Sequence, residues 1–200
     1  MESLNHSLFL LINAGAEPSP VLLYGAIFFA KWLVYSLPVL LLAMWLWGRS
    51  YHRELATKAV LSIVLGLLVT ALIRWLWPHP RPFVVGLGYT HLAHAPDASF
   101  PSNHAVFCFS MAFSLWWNAV RKRAAWILLG VALSVCWARV YLGVHFPLDM
   151  VGGAVVVLLS VWLVNRLLRI NRLGDRLVIK LETTYGRIMA RAIARGWVSE

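Results

Sequence analysis

Long apolar runs separated by short polar segments are the main pattern along this chain. Five of the runs approach the ~20 residues that a helix needs to cross the apolar core of a bilayer. They predict membrane-spanning helices near residues 21–47, 57–77, 104–120, 124–141 and 149–167. The first run is longer than a bilayer requires, which predicts a tilted helix or one that begins late. The predicted fold class is an all-α, polytopic membrane bundle of about five to six transmembrane helices.

Two further segments are amphipathic and predict helices that lie on the membrane surface. Residues 3–13 carry Leu4, Leu8 and Leu11 near helical spacing and are expected on the outer side. Residues 175–198 interleave apolar positions with basic residues mostly four apart, which is typical of an interfacial helix. These basic residues are Arg176, Lys180, Arg187, Arg191 and Arg195. We therefore expect one integral-membrane domain over residues 1–200, with a basic amphipathic cytoplasmic tail at 172–200.

Composition assigns the chain to the membrane proteins, and the charge pattern orients it. Hydrophobic residues make up 60%, charged residues 13%, and the mean hydropathy is +0.72, which excludes an ordinary soluble domain. Most Lys and Arg residues flank the predicted spans on one side, which the positive-inside rule makes cytoplasmic. They include Arg121, Lys122 and Arg123, between the third and fourth spans. Membrane orientation therefore explains the net charge of +10, and no nucleic-acid partner is expected.

Polar patches on the opposite, outer side carry the candidate chemistry. They are Arg74 with Arg81-Pro82, then Pro101-Ser102-Asn103-His104, then Arg139 with His145 and Asp149. Ionisable residues beside apolar spans are costly unless they are paired or hydrated, so their default interpretation is functional. Two His, one Asp and three Arg together supply a nucleophile, an acid and a positive cage for phosphoryl transfer.

The third patch predicts an activated histidine. A helix that begins near Pro147 would put Asp149 about one turn after His145. A carboxylate on one ring nitrogen fixes the tautomer and leaves the other nitrogen free to attack. His145 is therefore the candidate nucleophile, and a helix-capping His and Asp pair is the structural alternative.

The second and first patches predict an anion site. Ser102 is a natural N-cap for the third span, where free backbone N–H groups attract phosphate, and His104 could protonate the leaving oxygen. Arg74 and Arg81 can grip phosphate oxygens with their planar guanidinium groups. The alternatives are a simple helix cap with a surface histidine, and an Arg74 that snorkels to the headgroups. Lys31, inside the first span, either reaches the phosphate cage or snorkels outward, and we favour the cage.

No metal or other cofactor is expected. Magnesium needs clustered carboxylates, but Asp97 and Asp149 are the only Asp residues on the outer side. The outer histidines follow no strong zinc spacing, and solvated loop positions are the better interpretation. They are His79, His91 and His94. Cys108 and Cys136 lie inside apolar spans, which favours packing over a disulfide or a metal pair.

In order and spacing, the patches resemble the signature of the type 2 phosphatidic acid phosphatase superfamily: Lys-x6-Arg-Pro, Pro-Ser-Gly-His and Ser-Arg-x5-His-x3-Asp. The resemblance implies that His145 becomes phosphohistidine, that Asp149 is its partner, and that His104 is the general acid. It implies phosphate binding by Arg74, Arg81, Ser102 and Arg139.

The chain departs from that signature at three positions. Arg74 replaces Lys and keeps the charge. Asn103 replaces Gly and adds a side chain where close phosphate approach is expected, so the shape of the phosphate pocket differs there. Ala138 replaces Ser and removes a hydroxyl from the phosphate surroundings.

Within the superfamily, the chain resembles small bacterial undecaprenyl diphosphate phosphatases of the bacitracin-resistance type over nearly its full length. Three segments carry this likeness: Pro80-Arg-Pro-Phe, Ser99-Phe-Pro-Ser and Arg139-Val-Tyr-Leu-Gly-Val-His-Phe-Pro-Leu-Asp. It implies hydrolysis of a polyprenyl diphosphate to the monophosphate, which recycles the carrier lipid. It also implies a bacterial inner membrane with the site facing the periplasm or the cell exterior.

Other functions fit the same residues. A phosphotransferase to a lipid acceptor, or a phosphatase for phosphatidic acid or phosphatidylglycerol phosphate, would share the phosphohistidine step. An anion or proton transporter is the alternative of a different class. It is disfavoured because polar relays in transporters penetrate the membrane midplane, whereas these residues cluster at one face.

Overall fold

Apolar positions at helical spacing fold the described part of the chain into helices joined by polar turns. The computed structural model describes residues 2–118 and 122–199. In these ranges the α-helices are α1 (Glu2–Ile12), α2 (Pro20–Ile27), α3 (Ser36–Leu46), α4 (Ser50–Leu76), α5 (Asn103–Asn118), α6 (Arg123–Tyr141), α7 (Pro147–Arg169) and α8 (Leu173–Ala194). A π-helical turn, Phe28–Trp32, and a 3₁₀ turn, Leu33–Tyr35, join α2 to α3. A second 3₁₀ turn, Ile170–Arg172, joins α7 to α8. The predicted all-α class is confirmed.

Four membrane-crossing stretches agree with the predicted runs. Within the described residues, the helices long and apolar enough to cross a membrane are Pro20–Leu46, Ser50–Leu76, Arg123–Tyr141 and Pro147–Arg169. The first is not one regular α-helix, because the π-helical and 3₁₀ turns interrupt it. The second begins at Ser50 rather than near residue 57, because the polar residues before the apolar run join the same helix.

The third predicted run is α5, the central helix of the bundle. Its described part has 16 residues, which is shorter than the other four stretches. Residues 119 and 120 of that prediction, and Arg121 of the predicted cytoplasmic group, lie outside the described residues. α5 packs against α4, α6 and α7, and most of its side chains are buried. Burial inside the protein therefore accounts for much of its apolar character.

Small residues allow α5 to approach its neighbours closely. A Cβ atom at Gly66 of α4 would lie 2.9 Å from Val106 Cγ1. A Cβ atom at Gly153 of α7 would lie 2.8 Å from the Ala105 Cβ atom and 3.3 Å from the Ser102 carbonyl oxygen. Close backbone approach through small residues is a common way for membrane helices to associate. Here it brings the start of α5 next to the first turns of α7.

The N-terminal helix α1 covers the start of α7. The buried Asn5 side chain accepts a hydrogen bond from the Leu148 backbone N–H at 3.1 Å. Phe9 is fully buried, and its ring packs edge-on against Phe146, with ring centroids 5.5 Å apart. The predicted leucine positions of this helix point away from these contacts and are exposed. They are Leu4, Leu8 and Leu11.

The C-terminal helix α8 is attached to the opposite end of the bundle through Arg53. Arg53 lies between the first two predicted spans, where a cytoplasmic loop is expected, but in the structure it belongs to α4 and is buried. Its guanidinium donates to the Trp45 carbonyl at 3.0 Å and the Ser199 carbonyl at 2.9 Å. It also lies 4.5 Å from the centroid of the Tyr185 ring. The position is buried because the tail folds back over it.

Candidate active site

The three sequence patches meet at one end of the bundle. The segment 77–102 folds back between α4 and α5 and carries Arg81 to the loop between α6 and α7. That loop contains His145, and α7 begins at Pro147, as predicted. The convergence arises because the ends of α4 and α6 and the starts of α5 and α7 lie at the same end of the bundle.

His145 and Asp149 form a buried pair. His145 Nδ1 lies 3.1 Å from Asp149 Oδ2, and each side chain is 1% exposed. Asp149 is the third residue of α7, and its carboxylate also accepts the Phe146 backbone N–H at 2.8 Å, so it caps the helix as well. An ionised carboxylate accepts a hydrogen bond from Nδ1–H, which leaves the lone pair of the ring on Nε2.

Ser99, which has no predicted role, contacts both residues of this pair. Its hydroxyl donates to Asp149 Oδ2, and its Oγ lies 3.2 Å from His145 Nδ1. The Ser99 side chain is fully buried. It holds the carboxylate and the imidazole in register. Its presence in the segment Ser99-Phe-Pro-Ser is the only sequence signal for this position.

Arg81 and Ser102 face the other nitrogen of the ring. Arg81 Nη1 lies 3.1 Å from His145 Nε2 and 3.5 Å from Nδ1, and it donates to the Val144 carbonyl at 2.7 Å. Ser102 Oγ lies 3.4 Å from His145 Nε2 and accepts the Ala105 backbone N–H at 3.4 Å, as expected for an N-cap. Arg81 is 1% exposed. A phosphate brought to Nε2 would therefore meet a guanidinium and a helix N-terminus together.

Asp97 pairs with the arginines of the first patch. Its carboxylate lies 2.9 Å from Arg81 Nη2 and 3.5 Å from Arg74 Nη1. Arg74 Nε also donates to the Pro101 carbonyl at 3.2 Å. Burial alone would raise the pKa of Asp97, but the hydrogen bond from Arg81 and the nearby charge of Arg74 outweigh it, and the pKa lies below its ordinary value. Asp97 has no predicted role, because nothing along the chain links it to residues 74 and 81.

Arg139 and His104 lie on a neighbouring cavity of about 320 Å³. Arg139 is 4% exposed, and its Nε and Nη2 atoms make no hydrogen bond within the described part of the chain. Buried donors without acceptors are costly, so these atoms point to an anion as their partner. Lys31 lines the same cavity. Asn103 is the first residue of α5, and its side chain is exposed.

The histidines of segment 77–102 are less exposed than expected. The side chains of His79 and His94 are 16% and 21% exposed, so the interpretation of solvated loop positions is wrong for these two. The His79 ring packs edge-on against Phe146, and the His94 ring centroid lies 6.1 Å from that of His145. His91 Nε2 lies 2.9 Å from the Gly15 carbonyl. The prediction failed because the segment folds over the site rather than into solvent.

Burial favours the neutral forms of His145 and His94. It lowers the pKa of His145 below its ordinary value, although the hydrogen bond and charge of Asp149 act in the opposite direction. Burial also lowers the pKa of His94, against a contact with the Ala95 carbonyl. At neutral pH His145 is therefore uncharged, which is the form that a nucleophilic nitrogen requires.

Among the described residues, no group of three or more His, Cys, Asp or Glu side chains is arranged to hold a metal ion. Cys108 and Cys136 are buried free thiols inside the bundle.

The family follows from the sequence match. The profile of the PAP2 superfamily matches residues 55–172, a range that contains all three patches. The chain belongs to the PAP2 superfamily.

Two curated relatives are similar to this chain in sequence, and one solved structure is similar to it in fold. The chain is 38% identical, over its whole length and that of the relative, to a putative undecaprenyl-diphosphatase YbjG of Escherichia coli. It is 28% identical to the undecaprenyl-diphosphatase BcrC of Bacillus subtilis, over 89% of this chain and 91% of the relative. The crystal structure of Aquifex aeolicus LpxE shares the fold, with a TM-score of 0.65 and 24% identity, over 82% of this chain and 95% of that one.

Proposed function

We propose that this membrane lipid phosphatase hydrolyses undecaprenyl diphosphate to undecaprenyl phosphate and inorganic phosphate, through a phosphohistidine on His145. The arrangement of groups around the His145 ring is the observation that supports this mechanism. Nδ1 lies against Asp149, while Nε2 lies 3.1 Å from Arg81 and 3.4 Å from Ser102. The full-length similarity to the Escherichia coli relative supports the choice of substrate.

In the first step, His145 Nε2 attacks the terminal phosphorus. The new N–P bond forms as the bond from phosphorus to the bridging oxygen breaks, and the electron pair of that bond stays on the bridging oxygen. His104 gives its proton to this oxygen, and undecaprenyl phosphate leaves. The positive charge that develops on the His145 ring is stabilised by Asp149.

In the second step, water attacks the phosphorus of the phosphohistidine. Its proton passes to His104, which gave one away in the first step. The N–P bond breaks, its electron pair returns to Nε2, and inorganic phosphate is released. Each group thereby regains its starting protonation state, as a catalyst must.

Guanidinium groups hold the charge of the transferred phosphoryl group. Arg74, Arg81 and Arg139 approach from three elements, which gives the phosphate a positive cage without any proton transfer from the arginines. Ser102 and the free N–H groups at the start of α5 complete the cage. Asn103 lies at the same helix start, and we assign it to the phosphate surroundings as well.

The proposed substrate and the charge pattern together indicate in which membrane the protein lies and which side its site faces. We propose a multi-pass protein of the bacterial inner membrane whose site faces the periplasm or the cell exterior. Polyprenyl diphosphate is consumed there, and the monophosphate returns to carry the next envelope precursor. The lipid and the bilayer are the partners of the protein, with no role for nucleic acid.

The experiment is a lipid-resolved assay of the purified protein in detergent. Undecaprenyl diphosphate, phosphatidic acid and phosphatidylglycerol phosphate are supplied separately, and free phosphate and phosphorylated lipids are both measured. We expect undecaprenyl diphosphate to give the highest kcat/KM, with one free phosphate for each lipid monophosphate. Preference for a phospholipid would overturn the substrate, and phosphate that accumulates on a second lipid would identify a transferase instead.

A chelator arm tests the expectation of metal-independent chemistry. We expect EDTA to leave turnover unchanged, because the proposed cage uses guanidinium groups to neutralise the phosphate charge. Loss of activity that magnesium or zinc restores would contradict this part of the mechanism.

A further inference from the structure

Lys31 lies within a membrane-crossing stretch at a break in its helical geometry. The stretch Pro20–Leu46 changes from α-helix to a π-helical turn at Phe28–Trp32, and Lys31 is the fourth residue of that turn. Such π-helical turns redirect side chains and are frequent at functional sites. A lysine inside an apolar span is costly unless it reaches water or a counter-charge.

In the structure, Lys31 lines a cavity that polar side chains also line. Lys31 lines the cavity of about 320 Å³ that is also lined by His104 and Arg139. Its ammonium lies 5.6 Å from the centroid of the Trp32 ring, and no carboxylate partner for it is found among the described residues. Lys31, whose ammonium has no carboxylate partner among the described residues, therefore lines the same cavity as His104, the proposed general acid.

Arg139 supplies a second, independent sign that an anion occupies this cavity. Its guanidinium is almost fully buried, yet Nε and Nη2 have no acceptor within the described part of the chain. Arg81 and Arg74, by contrast, already contact Asp97. Two cations thus face this cavity, on the side where His104 would meet the leaving group.

We propose that Lys31 binds the phosphate that stays on the lipid, and so selects lipid diphosphates over lipid phosphate monoesters. The proposal rests on the proposed function, because it assumes that His145 attacks the terminal phosphate. The cage of Arg74, Arg81 and Ser102 then holds the terminal phosphate, and Arg139, which also lines the Lys31 cavity, contacts both phosphates. The second phosphate of the same substrate lies on the leaving side, where His104 and Lys31 share the cavity.

The chemistry of the two leaving groups explains why a cation would discriminate between them. When a monoester reacts, the oxygen that leaves is a strongly basic alkoxide and needs a proton from an acid. When a diphosphate reacts, the leaving oxygen belongs to a phosphate, whose second pKa is about 6. A fixed ammonium beside it stabilises the extra negative charge that develops as the bond breaks. Lys31 should therefore matter for diphosphates and hardly at all for monoesters.

The test compares Lys31→Met and Lys31→Arg with the unmodified protein on undecaprenyl diphosphate and on phosphatidic acid. Lys31→Met should lower kcat/KM for the diphosphate by about tenfold or more, as expected for a lost charged hydrogen bond. Activity on phosphatidic acid should change by less than about threefold, and Lys31→Arg should recover most of the loss. Lys180→Met, which removes an exposed lysine of α8, is the matched control and should behave as the unmodified protein.

A second measurement is independent of monoester turnover. Inorganic pyrophosphate and inorganic phosphate are compared as inhibitors, and Lys31→Met should weaken inhibition by pyrophosphate more than inhibition by phosphate. Equal loss on both substrates, or unchanged diphosphate activity and pyrophosphate inhibition, would overturn the role of Lys31. If the unmodified protein does not hydrolyse undecaprenyl diphosphate, the proposed function fails instead, and the two failures are thereby distinguished.

Discussion

At the scale of single residues, the two nitrogens of His145 have different surroundings, and this difference determines which nitrogen attacks the phosphorus. Nδ1 lies among groups that fix the ring, namely Asp149 and Ser99, whereas Nε2 lies among groups that bind anions, namely Arg81 and Ser102. The ring is buried, so its pKa is lowered and the neutral form is maintained.

The pH dependence of kcat/KM should report this lowered pKa. A histidine with a lowered pKa stays neutral as the pH falls through 6.5, its ordinary value, and is protonated only at more acidic pH. We therefore expect activity to be retained at pH 6.5 and lost progressively below it. Activity measured after each sample is returned to neutral pH controls for unfolding. An acidic limb with its midpoint at or above pH 7 would contradict the assignment of His145 as a neutral nucleophile.

Removal of the Ser99 hydroxyl should slow the reaction without weakening substrate binding. In Ser99→Ala, Asp149 loses one donor and the ring loses one neighbour, while the phosphate cage is intact. Because a hydrogen bond to a charged group contributes roughly 1.5–3 kcal/mol, we expect kcat to fall by about tenfold or more with little change in KM. Ser7→Ala, at an exposed position of α1, is the control. A rise in KM at constant kcat would assign Ser99 to binding instead.

At the scale of helices, the contact between α5 and α7 holds the two halves of the site together. The Ser102 backbone N–H donates to the Asp149 carbonyl at 3.1 Å, so the start of α5 is bonded to the first turn of α7. Gly153 keeps this approach close, because any larger residue would meet Ala105. Changes at this contact should therefore affect stability and catalysis together.

Gly153→Val should push α7 away from α5. We expect a loss of roughly 1–3 kcal/mol in stability from overpacking, and a loss of activity from the displaced Ser102. Thermal unfolding in detergent and kcat/KM on the same preparation measure the two effects. Gly130→Val on α6 is the matched control, because a Cβ atom there meets nothing within 4 Å. Equal effects of the two substitutions would show that valine in a helix, rather than the contact, is responsible.

Much of this arrangement could be predicted from the sequence, because several of the contacts join residues that are close together along the chain. His145 and Asp149 are one helical turn apart, and Ser102 stands directly before an apolar run, so local rules were sufficient for them. Asp97 and Ser99 were missed because their contacts depend on how segment 77–102 folds. That path is determined by tertiary contacts such as the hydrogen bond from the Ser99 N–H to the His79 carbonyl at 2.7 Å. The π-helical turn at Phe28–Trp32 could not be predicted either, because its hydrophobic pattern is the same as that of a regular membrane-spanning helix.

At the scale of the whole molecule, the basic residues and the proposed site lie at opposite ends of the bundle. Arg53 and α8 are at one end, and the segment 77–102 is at the other. The positive-inside rule predicts that the first end is cytoplasmic. The proposed orientation agrees with a substrate that is consumed on the outer leaflet.

Cysteine labelling in intact bacterial cells tests this orientation. Val85→Cys lies in the exposed part of segment 77–102, and Arg187→Cys lies on α8. A maleimide that cannot cross membranes should label position 85 in intact cells and position 187 only after permeabilisation. The native Cys108 and Cys136 are buried and provide the background measurement. The reverse pattern would require the site to face the cytoplasm.

The most direct test of the central claim is to trap the covalent intermediate. The protein is mixed with undecaprenyl diphosphate labelled on its terminal phosphate, quenched in alkaline denaturant, and digested for mass spectrometry. We expect the label on His145, absent from His145→Ala and retained in His91→Ala. Label on any other residue, or a phosphoenzyme that persists in His145→Ala, would contradict the assignment of His145 as the nucleophile.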